Sequence, residues 1–171
     1  KEAALVFTTG YQASLGVLGP LIGRNDHVFL DRLDHASLVD GARLGFGEIH
    51  RYAHGDFDGL SRQLARAPHD AGKLVATDGV FSMEGSIVDL PRLVAVAKEH
   101  GAAILVDEAH ALGVLGDDGA GTASHFGRSR HSRTSRATSS ATWGSGRPAR
   151  IAARSCRSAS RGSPGRSASR R

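Results

Sequence analysis

The feature that most restricts the fold of this chain is a regular alternation of short apolar runs with segments of helical period, from Glu2 to His110. The runs "AALVF", "HVFLD", "EIHRYA", "KLVATDGV" and "AAILVD" have the length of strands. Between them lie "YQASLGVLGPLI", "HASLVDGARLG", "DFDGLSRQLARA" and "LPRLVAVAKEHG", where apolar residues recur at helical spacing. Strands separated by helices pair in parallel and carry the helices on the faces of the sheet. The expected class is α/β with a mostly parallel sheet.

Several boundaries have a local cause. Asp56 can cap "FDGLSRQLARA", Pro91 suits a first helical turn, and Gly101 stops the helix before "AAILVD". Ligands of such sheets collect beyond the carboxyl ends of the strands. The residues there are Thr9 to Tyr11, Asp34 and His35, Asp78 to Ser82, and Asp107 to His110.

Composition divides the chain at Gly127. All 17 Asp and Glu lie before it, with three Lys and seven Arg; the 44 residues 128–171 hold 12 Arg, 12 Ser and no acid. That second segment has no Leu, Val or Phe, and Ile151 and Trp143 are its only large apolar residues. Such a segment cannot bury enough surface to offset chain entropy, so a low-complexity, disordered tail is expected at 128–171 after a folded unit at 1–127. The lone Cys156 excludes an internal disulfide framework and fits a reducing compartment. No apolar run reaches the roughly 20 residues of a membrane span, and the start lacks a signal-peptide pattern, so a cytoplasmic protein is expected. The opening "KEAALVF" has no initiator Met and already reads as a strand, as though cut from something longer.

The segment "ILVDEAHALG" admits two readings. Asp-Glu-Ala-His after an apolar run could be the magnesium strand of a helicase-type ATPase. That chemistry also needs a G-x-x-x-x-G-K-[ST] phosphate loop. Of Lys1, Lys73 and Lys98, only Lys73 follows a Gly, and there Ala67 and Leu74 break the pattern. The other reading is a strand presenting Asp107 and His110 to an organic cofactor.

Four segments, "ALVFTTGYQASLGVL", "DRLDHASLVDGARL", "TDGVFSMEGSIVDLP" and "ILVDEAHALGVLG", occur in this order and spacing across residues 2–127. In this they resemble the α-oxoamine synthases, pyridoxal 5'-phosphate (PLP) enzymes of fold type I. The resemblance implies a partial three-layer αβα large domain, PLP as cofactor, and condensation of an amino acid with an acyl-CoA by a homodimer. It also implies roles. Asp107 matches the carboxylate that pairs with the pyridine nitrogen, and His35 the catalytic histidine stacked on the ring. His110 and Ser82 match residues near the phenolic oxygen, and Gly10 and Tyr11 the turn that seats the cofactor. Asp78 and Glu84 match carboxylates given no catalytic role here, and Phe81 and Met83 read as packing residues. Ser14 stands where the family often has Asn, and Ala120 where it usually has Arg. No metal ligand set is expected.

The family's Schiff-base lysine follows the Asp-x-Ala-His strand in a motif like T-[FL]-[SG]-K, but no lysine follows Lys98 here. The resemblance therefore implies a catalytically incompetent chain. A shifted reading frame in GC-rich DNA would give the Arg/Ser composition. Trp143-Gly144-Ser145, read one base earlier, permits Leu-Gly-Lys. The alternative is a genuine basic tail on a non-catalytic protein, binding RNA or another polyanion by phosphate neutralisation.

Overall fold

The computed structural model describes residues 4–127. The expected tail at 128–171, with its reading-frame and RNA-binding interpretations, lies outside the described residues. Eight elements alternate: α1 (Gly10–Leu21), β1 (His27–Asp31), α2 (Ala36–Arg43), β2 (Glu48–Tyr52), α3 (Phe57–Arg66), β3 (Lys73–Asp78), α4 (Leu90–Glu99) and β4 (Ala103–Asp107). A short 3-10 turn, Asp117–Gly119, and a single helical turn, α5 (Thr122–His125), follow.

The four strands form one parallel sheet in the order β2-β1-β3-β4. Because successive strand side chains point to opposite faces, the apolar runs feed two cores at once. Val28, Leu30, Leu74, Ala76 and Leu105 pack with Leu18, Leu38 and Ala42 from α1 and α2 and with Ile22, just after α1. Phe29, Val75 and Val106 pack on the other side with Leu60, Leu64, Leu93 and Ala97 from α3 and α4. The result is the expected three-layer αβα arrangement.

Capping fixes where the helices start. Asp56 accepts from Gly59 N at 2.8 Å and opens α3, as its sequence predicts. For α4 the cap is Asp89, which accepts from Arg92 N at 3.1 Å, and Pro91 sits within the first turn. Gly101, with φ +67°, takes the left-handed conformation that ends α4 and releases the chain into β4.

The first expected strand, "AALVF", is a misreading over its described part. Residues 4–7 have no regular structure, and Leu5 and Val6 are exposed. Their composition suits a strand, but a strand exists only beside a partner that takes its amides and carbonyls, and no strand of this sheet pairs with it. Only Phe7 folds back, its ring against Gly16 of α1.

Candidate functional site

The carboxyl ends of β1 and β3 are tied together by acidic side chains. Asp34, just beyond β1, accepts from Asp31 N at 2.7 Å and from Asp78 N at 3.0 Å. Asp78, at the end of β3, accepts in turn from His35 N at 2.8 Å. All three of these aspartates are buried. Burial pushes the Asp34 carboxyl well above its ordinary range. Burial also raises Asp78 to about 6, with repulsion from Asp107 adding to it and the His35 amide, His35 and His110 opposing it. Asp31 accepts from Leu33 N at 2.9 Å and meets His54 Nδ1 at 3.2 Å, while His54 Nε2 lies 3.1 Å from Ser86 Oγ. These bonds fix three loops at one end of the sheet.

On that frame the structure brings most of the sequence-derived residues to one edge. Asp107 ends β4 opposite Asp78 in the β3–β4 register. Its Oδ1 accepts from Ala109 N at 2.9 Å, and its Oδ2 makes no hydrogen bond among the described residues. His110 is exposed in the turn that follows. His35 is the N-cap of α2: Nδ1 accepts from Ser37 N at 3.2 Å and meets Ser37 Oγ at 2.8 Å. Gly10 and Tyr11 open α1, capped by Thr9, which accepts from Gln12 N at 3.1 Å. The Tyr11 ring stands edge-on to His35, with centroids 6.5 Å apart, and its hydroxyl donates to Asp40.

Ser82 is not drawn into this network. It is exposed on the loop after β3, as are Met83 and Glu84. Phe81 packs in the core as expected, but Met83 is 89% exposed and is no packing residue in these contacts. Strand periodicity does not extend into that loop, which an antiparallel bridge from Val80 to Ile87 closes.

Three parts of the arrangement escaped sequence reasoning. Ser14 Oγ donates to Gly10 O at 3.2 Å and accepts from Ser37 Oγ at 3.2 Å, linking the start of α1 to the His35 cap. Asp34 was legible only as a strand-end position, not as the residue that joins two strands. Glu108, buried beside Asp107, accepts from Thr122 N at 3.0 Å and Thr122 Oγ1 at 2.7 Å and so anchors the loop at 113–121. A buried carboxylate needs such donors, and the acid in "VDEAH" was the available signal.

The aminotransferase class I and II family model matches residues 1–146. The chain belongs to that family. A serine palmitoyltransferase of Sphingobacterium spiritivorum is 54% identical over 127 residues, which are 74% of this chain and 32% of the relative. An 8-amino-7-oxononanoate synthase of Acidithiobacillus ferrooxidans is 52% identical over 130 residues, 76% of this chain and 33% of the relative. Both are α-oxoamine synthases, the group that the four sequence segments resemble. Among solved structures, Sphingomonas wittichii serine palmitoyltransferase superposes with a TM-score of 0.72 at 49% identity, over 74% of this chain and 32% of that one. A variant serine palmitoyltransferase from S. paucimobilis, solved with a bound PLP-myriocin aldimine, gives 0.71 at 45% identity, over 74% and 32%. This class I and II chain spans about a third of the length of the relatives it matches.

Proposed function

We propose that residues 1–127 are the PLP-binding part of an acyltransferase of 8-amino-7-oxononanoate synthase type, which condenses an amino acid with an acyl-CoA. The observation that carries the reading is the Asp107 carboxylate at the end of β4, one oxygen held by Ala109 N and the other without a partner. Asp107 stands opposite Asp78 in the sheet, and it, His35 and His110 each act on the Asp78 carboxyl.

These residues fit PLP by the chemistry of their donors. The free oxygen of Asp107 suits a protonated pyridine nitrogen, and the nearby Asp78 carboxylate adds negative potential that favours that proton. His35, fixed by Ser37 and by the Asp78 bond to its amide, would hold the ring face. Ser82 and His110, both exposed, would reach the phenolic oxygen. The amides of Gly10 and Tyr11, at the positive end of α1, would receive the phosphate. When bound, PLP supplies an electron sink that stabilises negative charge at the amino acid's α-carbon. The part of this chain in that chemistry is to keep a proton on the ring nitrogen through Asp107 and to orient the ring through His35.

No lysine follows Lys98 within the 171 residues, so this chain offers no residue at the motif that would bind PLP covalently and move the α-proton. The whole enzyme is proposed to act in the cytoplasm as a homodimer. Among the described residues no helix is long and apolar enough to cross a membrane.

The 171-residue chain should bind PLP reversibly, seen as a shift in PLP absorbance. Asp107→Asn should weaken that binding by about tenfold or more, the scale of one charge-assisted hydrogen bond. Added alanine and pimeloyl-CoA should release no CoA. Equal PLP affinity of the wild type and Asp107→Asn, or CoA release by this chain, would count against the reading.

A further inference from the structure

At the other end of the sheet, β1 and β2 begin with residues of a different chemistry. In their register His27 pairs with Glu48 and Phe29 with His50. Paired positions of parallel strands, and positions two apart on one strand, share a face. His27, Glu48 and His50 therefore project together at the amino-terminal end of the sheet edge, remote from Asp107. His27 Nδ1 lies 2.9 Å from His50 Nε2, and Glu48 carboxylate oxygens lie 3.7 Å from each of these nitrogens. The three side chains are 13%, 67% and 24% exposed for His27, Glu48 and His50, so the rings are partly sheltered and the carboxylate faces water. The His50 ring is held flat against Phe29, with centroids 4.7 Å apart, and against His27 at 5.2 Å.

We propose that His27, His50 and Glu48 form a binding site for a divalent transition-metal ion of the zinc class, with three protein ligands and one open position. Zinc bound at about 2.0–2.1 Å in tetrahedral geometry places its donors about 3.3 Å apart. The two nitrogens stand 2.9 Å apart, a different Glu48 oxygen lies 3.7 Å from each, and one donor atom from each of the three residues falls within 4.8 Å of the others, so small side-chain movements would seat the ion. Two imidazoles with one carboxylate form a donor set that suits zinc better than magnesium or calcium, which take oxygen ligands. The ion takes the place of the proton between the two rings. The ring that donated it carries its proton on the far nitrogen instead, so two neutral imidazoles remain.

The cluster also borders open space. The cluster lines a cleft of about 660 Å³ to which Gln63 and Arg66 also contribute. Gln63 Nε2 donates to Arg51 O at 3.2 Å, but its Oε1 is buried without a partner. Gln63 and Arg66 thus form the polar wall of the cleft that the open position of the ion would face. Arg66, at the C-terminal end of α3, favours water or an anion there over a second cation. The bound ion would tie the edge strand β2 to β1 through side chains as well as the ladder.

The test uses the full 171-residue chain, freed of metal with a chelator and titrated with Zn²⁺ against a chromophoric competitor, and with Co²⁺ to read geometry. The expected result is one tight equivalent of Zn²⁺, a visible tetrahedral Co²⁺ band, and a melting temperature raised by Zn²⁺. Loss of an outer-shell partner costs a metal site about 10- to 100-fold in affinity, so His50→Asn should cost no less. Glu48→Gln removes an exposed carboxylate, leaves the Phe29–His50 stack intact, and should also weaken binding at least about tenfold. His110→Asn, at the opposite end of the sheet, should leave the tight equivalent unchanged. Wild-type affinity in both His50→Asn and Glu48→Gln, or no tight equivalent in the wild type, would overturn the site. PLP binding is measured separately at the other end of the sheet and does not enter this result.

Discussion

Gly41 of α2 lies against the backbone of α1. A Cβ there would stand 2.8 Å from Ser14 O and 3.0 Å from a Leu18 methyl carbon. Gly41→Ala gains helix propensity of about 1 kcal/mol, but the backbone oxygen cannot swing aside as a side chain can. A net loss of about 1–3 kcal/mol is expected, the usual cost of overpacking. Denaturant melts of the variant would show it, and a gain in stability would mean that the helices part easily. Asp78 gives a prediction in pH. Its folded pKa of about 6 lies above the unfolded value near 3.9, so between these values the folded chain binds more protons and stability falls as pH rises. The cost is absent below the unfolded pKa and complete above about pH 6. Asp78→Asn keeps an acceptor for His35 N without the charge. Its stability relative to wild type should therefore improve between about pH 4 and pH 7; a constant offset across that range would contradict the electrostatic origin.

The helix α3 shows what local sequence can specify. Phe57, Leu60 and Leu64 put its apolar stripe on the sheet, Arg66 complements its C-terminal end, and Asp56 fixes its start. Asp56→Ala should cost about 1 kcal/mol through the lost bond to Gly59 N. Thermal melts would measure it, and Asp56→Ser should recover most of the loss if capping is the cause. Elements of this kind were legible from sequence, and "HVFLD" became β1 with its bounds unchanged. What escaped depends on partners distant in the chain. The strand character of "AALVF" is real in composition, yet pairing is decided elsewhere. The Ser14–Ser37 bond joins residues 23 positions apart, and Asp34 meets Asp78 across 44. At the site, motif spacing located Asp107, His35 and Tyr11 at one edge, but the carboxylates that brace them have no periodic signature. The cap of α4 was missed because Pro91 drew the boundary, although Asp89, two residues before it, has the capping side chain.

For the whole molecule, the consequence of parallel strand order is polarity. Every strand starts at one end and finishes at the other, so the strand-end acids gather by Asp107 and the paired imidazoles gather by Glu48. About five residues of strand at roughly 3.3 Å each along the sheet, and two to three strand spacings of about 4.8 Å across it, separate them by about 20 Å. Energy transfer follows: Cu²⁺ at His27 and His50 should quench the emission of PLP bound by Asp107, and His50→Asn should abolish the quenching without changing PLP affinity. Undiminished emission with Cu²⁺ bound would place the two ligands farther apart than the sheet allows.

The order β2-β1-β3-β4 also sets a clock. Among the described residues, strands β1 and β3 have a neighbour on each side, whereas β2 and β4 each have one. Along an edge strand successive amides point alternately into the sheet and away from it. In deuterated water, β1 and β3 should exchange slowly along their whole length, and β2 and β4 should alternate between slow and fast residues. The two edges would thus keep time with a period of two, a rhythm set by the backbone alone.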